Sequence, residues 1–156
     1  MDYESAVSGT TRSLSILLAA FAFGVLSFAV AGVALGPVDP QGAENLAVIR
    51  WVALGLPLME LPMIALLWNQ FGRRIEESEG WEARSAALRG RTIVIAAMFE
   101  GPALIAGVSF LLTGFNWQGL PALALFLAGI AMLFPTRGRI IKAIGLPDGR
   151  KGDEYS

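Results

Sequence analysis

Residues 92–113 read TIVIAAMFEGPALIAGVSFLLT. An α-helix needs about 20 apolar residues to cross a hydrocarbon core of ~30 Å, and this stretch supplies them. Polar and apolar residues do not alternate along it, as they would in a barrel strand. A helix also satisfies its own backbone hydrogen bonds, which a bilayer demands. The one charged residue in it is Glu100. A carboxylate at that depth costs about 2.5–3.5 kcal/mol on insertion scales, so its position needs a reason.

Three further blocks of the same kind flank it. Residues 14–35 carry no charge, and residues 46–68 carry Glu60 near the middle and Arg50 near the entry. Residues 120–134 are fewer but uncharged, bounded by Pro121 and Pro135 and preceded by Phe115 and Trp117. That last block crosses if the local bilayer thins slightly. The expectation is an all-α, four-helix transmembrane bundle forming one domain over residues 1–147. An interfacial helix is expected at 137–146 and a disordered tail at 148–156. The first block is longer than a signal-peptide core, and Asp2 and Glu4 precede it against a single Arg12. An uncleaved first span is therefore expected. Cleavage, if any, would fall in the small-residue stretch 29–36.

Charge sets the orientation. Arg73, Arg74, Arg84, Arg89 and Arg91 lie between spans two and three, and Arg137, Arg139, Lys142, Arg150 and Lys151 follow span four. Residues 36–45 and 114–119 hold no Lys or Arg. The positive-inside rule then puts both termini (N-in/C-in) and a charged loop between spans two and three in the cytoplasm. The location expected is the cell inner (plasma) membrane, crossed several times. Trp51, Trp68 and Trp117 fall near the interfaces, where indole rings prefer to sit. Within the charged segment, residues 75–88 read as a helix, and residues 137–146 mix Ile140, Ile141 and Ile144 with basic residues suited to an anionic inner surface.

The composition excludes several classes. Net charge is −1, with 12 Lys and Arg against 13 Asp and Glu, so there is no case for nucleic acid as a partner. Cys and His are both absent. The usual catalytic triads and zinc sites are thereby removed, no phosphate-binding glycine loop is present, and neither an enzyme nor a cofactor is expected. Met59, Met63 and Met98 read as packing residues, not as a metal site.

Glu60 and Glu100 are the candidate ion-binding residues. Each opens a Glu-x-Pro motif, Glu60-Leu61-Pro62 and Glu100-Gly101-Pro102. On consecutive antiparallel spans both lie ~12 Å from the cytoplasmic ends at 1.5 Å per residue, close enough to meet or to face one cavity. Low polarity favours the neutral carboxyl, so at least one of the two is expected to be protonated. Proline frees the carbonyl four residues earlier. Pro57, Pro62 and Pro102 would release those of Ala53, Leu58 and Met98 near the carboxyls, and Gly101 would let a neighbouring helix approach. The alternative is structural: a neutral glutamate bonding across helices, and prolines that only kink. Arg50 is ~15 Å along the helix from Glu60 and is expected to reach toward the outer interface.

The segment Ala97-Met98-Phe99-Glu100-Gly101-Pro102-Ala103-Leu104-Ile105-Ala106-Gly107-Val108 resembles the carboxylate-bearing second helix of the rotary-ATPase proteolipid, or c, subunit. That resemblance implies an H+ or Na+ site at Glu100, with Glu60 corresponding loosely to the first-helix carboxylate of sodium-type members. Three features depart from the family: span two has only Gly55, the connecting segment is long and charged, and two extra spans are present. The whole chain is similar to small four-span bacterial membrane proteins of uncharacterised function that carry the same Glu-Gly-Pro-Ala-Leu stretch.

Two functions are open at this point. In the first, the protein binds or relays H+ or a monovalent cation such as Na+ through the two glutamates. Its partners are then the lipid bilayer and, since four helices are too narrow to enclose a path alone, further copies in a homo-oligomer. In the second, it is a non-transporting structural or accessory membrane protein whose charged cytoplasmic loop docks a partner.

Overall fold

The computed structural model describes residues 3–38 and 46–144. The tail expected at 148–156 lies outside the described residues. The fold is all-α: α1 (Tyr3–Leu35), α2 (Val48–Glu77), α3 (Gly80–Thr113), α4 (Leu120–Leu133) and α5 (Arg137–Ile144), with a short 3-10 turn at Trp117–Gly119 before α4. Among the described residues there is no strand.

α3 is the centre, and α1, α2 and α4 all pack on it. The main core joins Leu18 and Val25 of α1, Ile64 of α2, Ile95, Phe99 and Ala103 of α3, and Phe126 and Leu133 of α4. Small residues set the close approaches. The Phe99 ring lies on Gly129 and the Phe28 ring on Gly107, where a Cβ would have no room. In lipid, helix association rests on such van der Waals fit more than on a hydrophobic drive.

The outward faces are apolar instead of polar. Phe23, Val30, Leu58, Met59 and Leu66 are all exposed. A helix of a water-soluble bundle carries charged residues on that side. α1, α2 and α3 are long and apolar enough to cross a membrane. A fourth crossing is present if the bent pair Trp117–Leu133 and Arg137–Ala143, at 71° to each other, counts as one span.

The segment between the second and third spans is not a loop. α2 and α3 are ~45 and ~50 Å long at 1.5 Å per residue, so each overshoots a ~30 Å hydrocarbon core. They meet in a tight turn at Ser78 and Glu79. This turn breaks the single helix expected over residues 75–88. Ser78 is extended, its backbone N–H and its hydroxyl both donate to the Arg74 carbonyl at 3.1 and 2.6 Å, and Gly80 takes φ +80°. Only glycine adopts that backbone without strain. The hairpin has a small core of its own, in which Ile75 and Leu88 pack with Val7 of α1 and Ile140 of α5. Thr10 and Ser85 share a hydrogen bond of 3.2 Å, and Arg89 donates to Thr10 Oγ1 at 3.3 Å. The start of α1, the hairpin and α5 thus sit together at one end, which is the basic end.

The opposite end is closed by polar bonds. α3 stops at Gly114, φ +76°. Arg50 Nε donates to Thr113 Oγ1 at 2.9 Å and Arg50 Nη2 to the Thr113 carbonyl at 3.0 Å. A cation here also meets the negative end of the helix dipole. Asn116 Nδ2 donates to Ser109 Oγ and to the Gly114 carbonyl, both at 3.0 Å, while its Oδ1 accepts from the Gly119 N–H at 3.3 Å. Arg50 therefore reaches away from Glu60 toward the end opposite the basic one, the direction expected of it, and is held there by the α3 terminus.

Candidate functional site

Glu60 sits in the middle of α2, where Pro57 and Pro62 interrupt the backbone hydrogen-bond ladder. Its side chain turns into the bundle. A cavity of about 10 Å³ is lined by Glu60, Pro57, Leu61 and Ile64 of α2, Phe99 and Pro102 of α3, and Ala122 and Leu125 of α4. About 10–15 Å³ by this measure is the space of one water molecule. Glu60 Oε2 is buried and has no hydrogen-bond partner among the described residues. A buried polar atom in that condition costs about 1–3 kcal/mol. Glu60 Oε1 lies 4.0 Å from the point where a Cβ on Gly101 would stand.

Of the residues singled out in the sequence, the structure brings Glu60, Pro57 and Pro102 to this cavity, with Gly101 beside it. Pro62 is exposed on the outer face of α2. Glu100 is half-buried and does not line the cavity. No hydrogen bond joins it to Glu60 among the described residues. Met59 and Met63 also face outward, 78% and 55% exposed. Among the described residues no three of His, Cys, Asp and Glu gather as a metal site would need. Any small cation here would take its remaining oxygens from the backbone. Pro57 and Pro102 deprive the carbonyls of Ala53 and Met98 of their helical donors.

Sequence reasoning missed a second group of residues at the basic end. Arg91 stacks its guanidinium on the Trp68 ring, 4.3 Å from the centroid. Its Nε is buried with no hydrogen-bond partner among the described residues. Arg91 was legible only as one of several topology-setting arginines. Its stacking depends on Trp68 being brought opposite by the α2–α3 hairpin.

Together these features define an all-α bundle of membrane-crossing character with the Glu60 carboxyl turned into its interior. Comparison with protein-family models, with characterised proteins and with solved structures finds no match for this chain.

Proposed function

We propose that the chain is a four-span, N-in/C-in protein of the inner (plasma) membrane that binds or relays H+ or a monovalent cation through Glu60 and Glu100, with Glu60 as the group that holds the ion. The observation that carries this is the partnerless Glu60 oxygen beside a cavity of one-water size. A buried polar atom without a partner asks for an explanation. A proton on the carboxyl, or a bare cation such as Na+ against it, supplies one. Larger substrates are too big for the space. The orientation rests on the basic end being cytoplasmic.

The reading is tested by proton and Na+ flux in proteoliposomes. Wild type is expected to conduct or exchange the ion, and Glu60→Gln to reduce flux to the level of empty vesicles. A Glu60→Gln, Glu100→Gln double variant that behaves like wild type would end the proposal. Carbodiimide modification of Glu60, slowed by Na+ or by high pH, gives an independent measure.

A further inference from the structure

We infer that the groove between α2 and α4 binds one anionic phospholipid, its phosphate against Arg91, Arg139 and Lys142 and one acyl chain running down toward Phe99. The inference is independent of ion binding at Glu60. At the basic end a cavity of about 510 Å³ is lined by Arg91, Arg139 and Lys142, with Glu76 as its one carboxylate among the described residues. Three cations against one anion leave a charge of +2. Trp68 and Met132 line this cavity together with other apolar residues, and the same two residues line a second cavity of about 440 Å³ that also includes Phe99 and Gly129. This second cavity contains one amide, Asn69, and is otherwise apolar. The two spaces adjoin at these shared residues, the first carrying the charged side chains and the second none.

The groove exists because α2 and α4 both pack on α3 and touch each other little. With Phe99 seated on Gly129, its floor lies low. From Trp68 to Leu61 the groove runs about 10 Å along α2 at 1.5 Å per residue. An α-helix with its side chains is at least 10 Å across, far wider than a hydrocarbon chain. A hydrocarbon chain is the narrower occupant, and a bilayer presents it already joined to a charged head. Stacking on Trp68 satisfies the face of the Arg91 guanidinium and leaves its N–H edge to bond oxygen. Phosphate suits that planar edge, and basic pockets between membrane helices at the cytoplasmic side hold anionic head groups.

Native mass spectrometry of the full chain in detergent tests this, with phosphatidylglycerol, phosphatidylcholine and glycerol phosphate as probes. At roughly 1 kcal/mol per net positive charge, phosphatidylglycerol should bind about 30-fold more tightly than phosphatidylcholine. Arg91→Gln should reduce that preference about fivefold or more. Ala128→Phe fills the apolar groove without touching charge, and should weaken phosphatidylglycerol while helix content, read by circular dichroism, stays at the wild-type level. Equal binding of the two lipids overturns the inference. So does glycerol phosphate competing as well as the lipid while Ala128→Phe has no effect, since the ligand would then be a free phosphate. The chain has no cysteine, so Ala128→Cys provides a single thiol in the groove. Phosphatidylglycerol should protect it from maleimide. Crosslinking of that thiol to a protein, with no lipid protection, assigns the groove to a partner helix and overturns the lipid.

Discussion

Glu60-Leu61-Pro62 and Glu100-Gly101-Pro102 look like copies of one motif, yet the bundle uses opposite halves of them. From the first it takes the glutamate inward and leaves the proline exposed. From the second it takes the proline inward and leaves the glutamate off the cavity. The geometry requires a split of this kind. Residues two apart on an α-helix are turned by about 200°, so the first and third residues of Glu-x-Pro cannot share a face. The cavity is assembled from Glu60 of one helix, Pro102 of the other, and Pro57, which stands one turn before Glu60 and on its side. Similar strings of residues therefore have unequal roles, and mutants can measure the inequality.

The largest difference is expected between the carboxyls. Glu60→Gln should abolish ion flux, whereas Glu100→Gln should retain at least about a tenth of it, a barrier raised by no more than ~1.4 kcal/mol. Carbodiimide labelling mapped by peptide mass spectrometry provides the second readout. Glu60 should be the residue protected by Na+ or high pH, with Glu100 modified at a rate indifferent to either. Equal losses in the two variants, with equal protection, would mean that the carboxyls act as a pair despite their different faces.

Glycines sharpen the comparison next. Gly101 belongs to the motif, and Gly129 belongs to no motif at all. A Cβ at Gly129 runs into the Phe99 ring, while one at Gly101 comes no closer than 4.0 Å to Glu60 Oε1. Gly129→Ala should cost about 1–3 kcal/mol of stability through overpacking. Gly101→Ala should be neutral or stabilising by up to ~1 kcal/mol, because alanine is the better helix former. Thermal unfolding in one detergent, followed by circular dichroism, separates the two. A larger loss for Gly101→Ala would place the tight contact at the motif after all.

What could be read from the sequence follows the same division. The apolar runs at 14–35, 46–68 and 92–113 announce helices because their length and uniformity admit little else, and each lies inside a helix of the structure except for residues 46 and 47, which form a turn ahead of α2. Facing is another matter. When nearly every position is apolar, no polar side remains to say which residue turns inward, so the inward Glu60 and outward Pro62 could not be told apart. The α2–α3 hairpin was half legible. Its charges marked it as outside the apolar spans, but the turn depends on Ser78 bonding the Arg74 carbonyl and on Gly80 at positive φ, and neither residue stands out in a polar stretch. Arg50 and Thr113 are far apart in sequence and meet only because α2 and α3 are antiparallel neighbours. Asn116 had a weak signal, since Asn just ahead of a helical turn is a capping residue.

The smallest expected effect concerns Pro62, the unused half of the first motif. It is exposed on the outer face of α2 and lines no part of the Glu60 cavity. Its lack of an N–H leaves the Leu58 carbonyl without a helical donor, and in hydrocarbon no water is at hand to replace it. Pro62→Ala restores that donor, and a backbone hydrogen bond contributes about 0.5–1.5 kcal/mol net. The variant should therefore unfold at a slightly higher temperature than wild type, with ion flux and carbodiimide protection of Glu60 unchanged. Pro102→Ala provides the contrast, because the same repair at a residue lining the cavity restores a donor to Met98 while removing ring atoms that pack beside Glu60. It should change the Na+ concentration needed for protection. If Pro62→Ala altered protection as much as Pro102→Ala, the kink in α2, and not the wall of the cavity, would be what positions the carboxyl. The two motifs would then be equivalent in effect, though they face different ways.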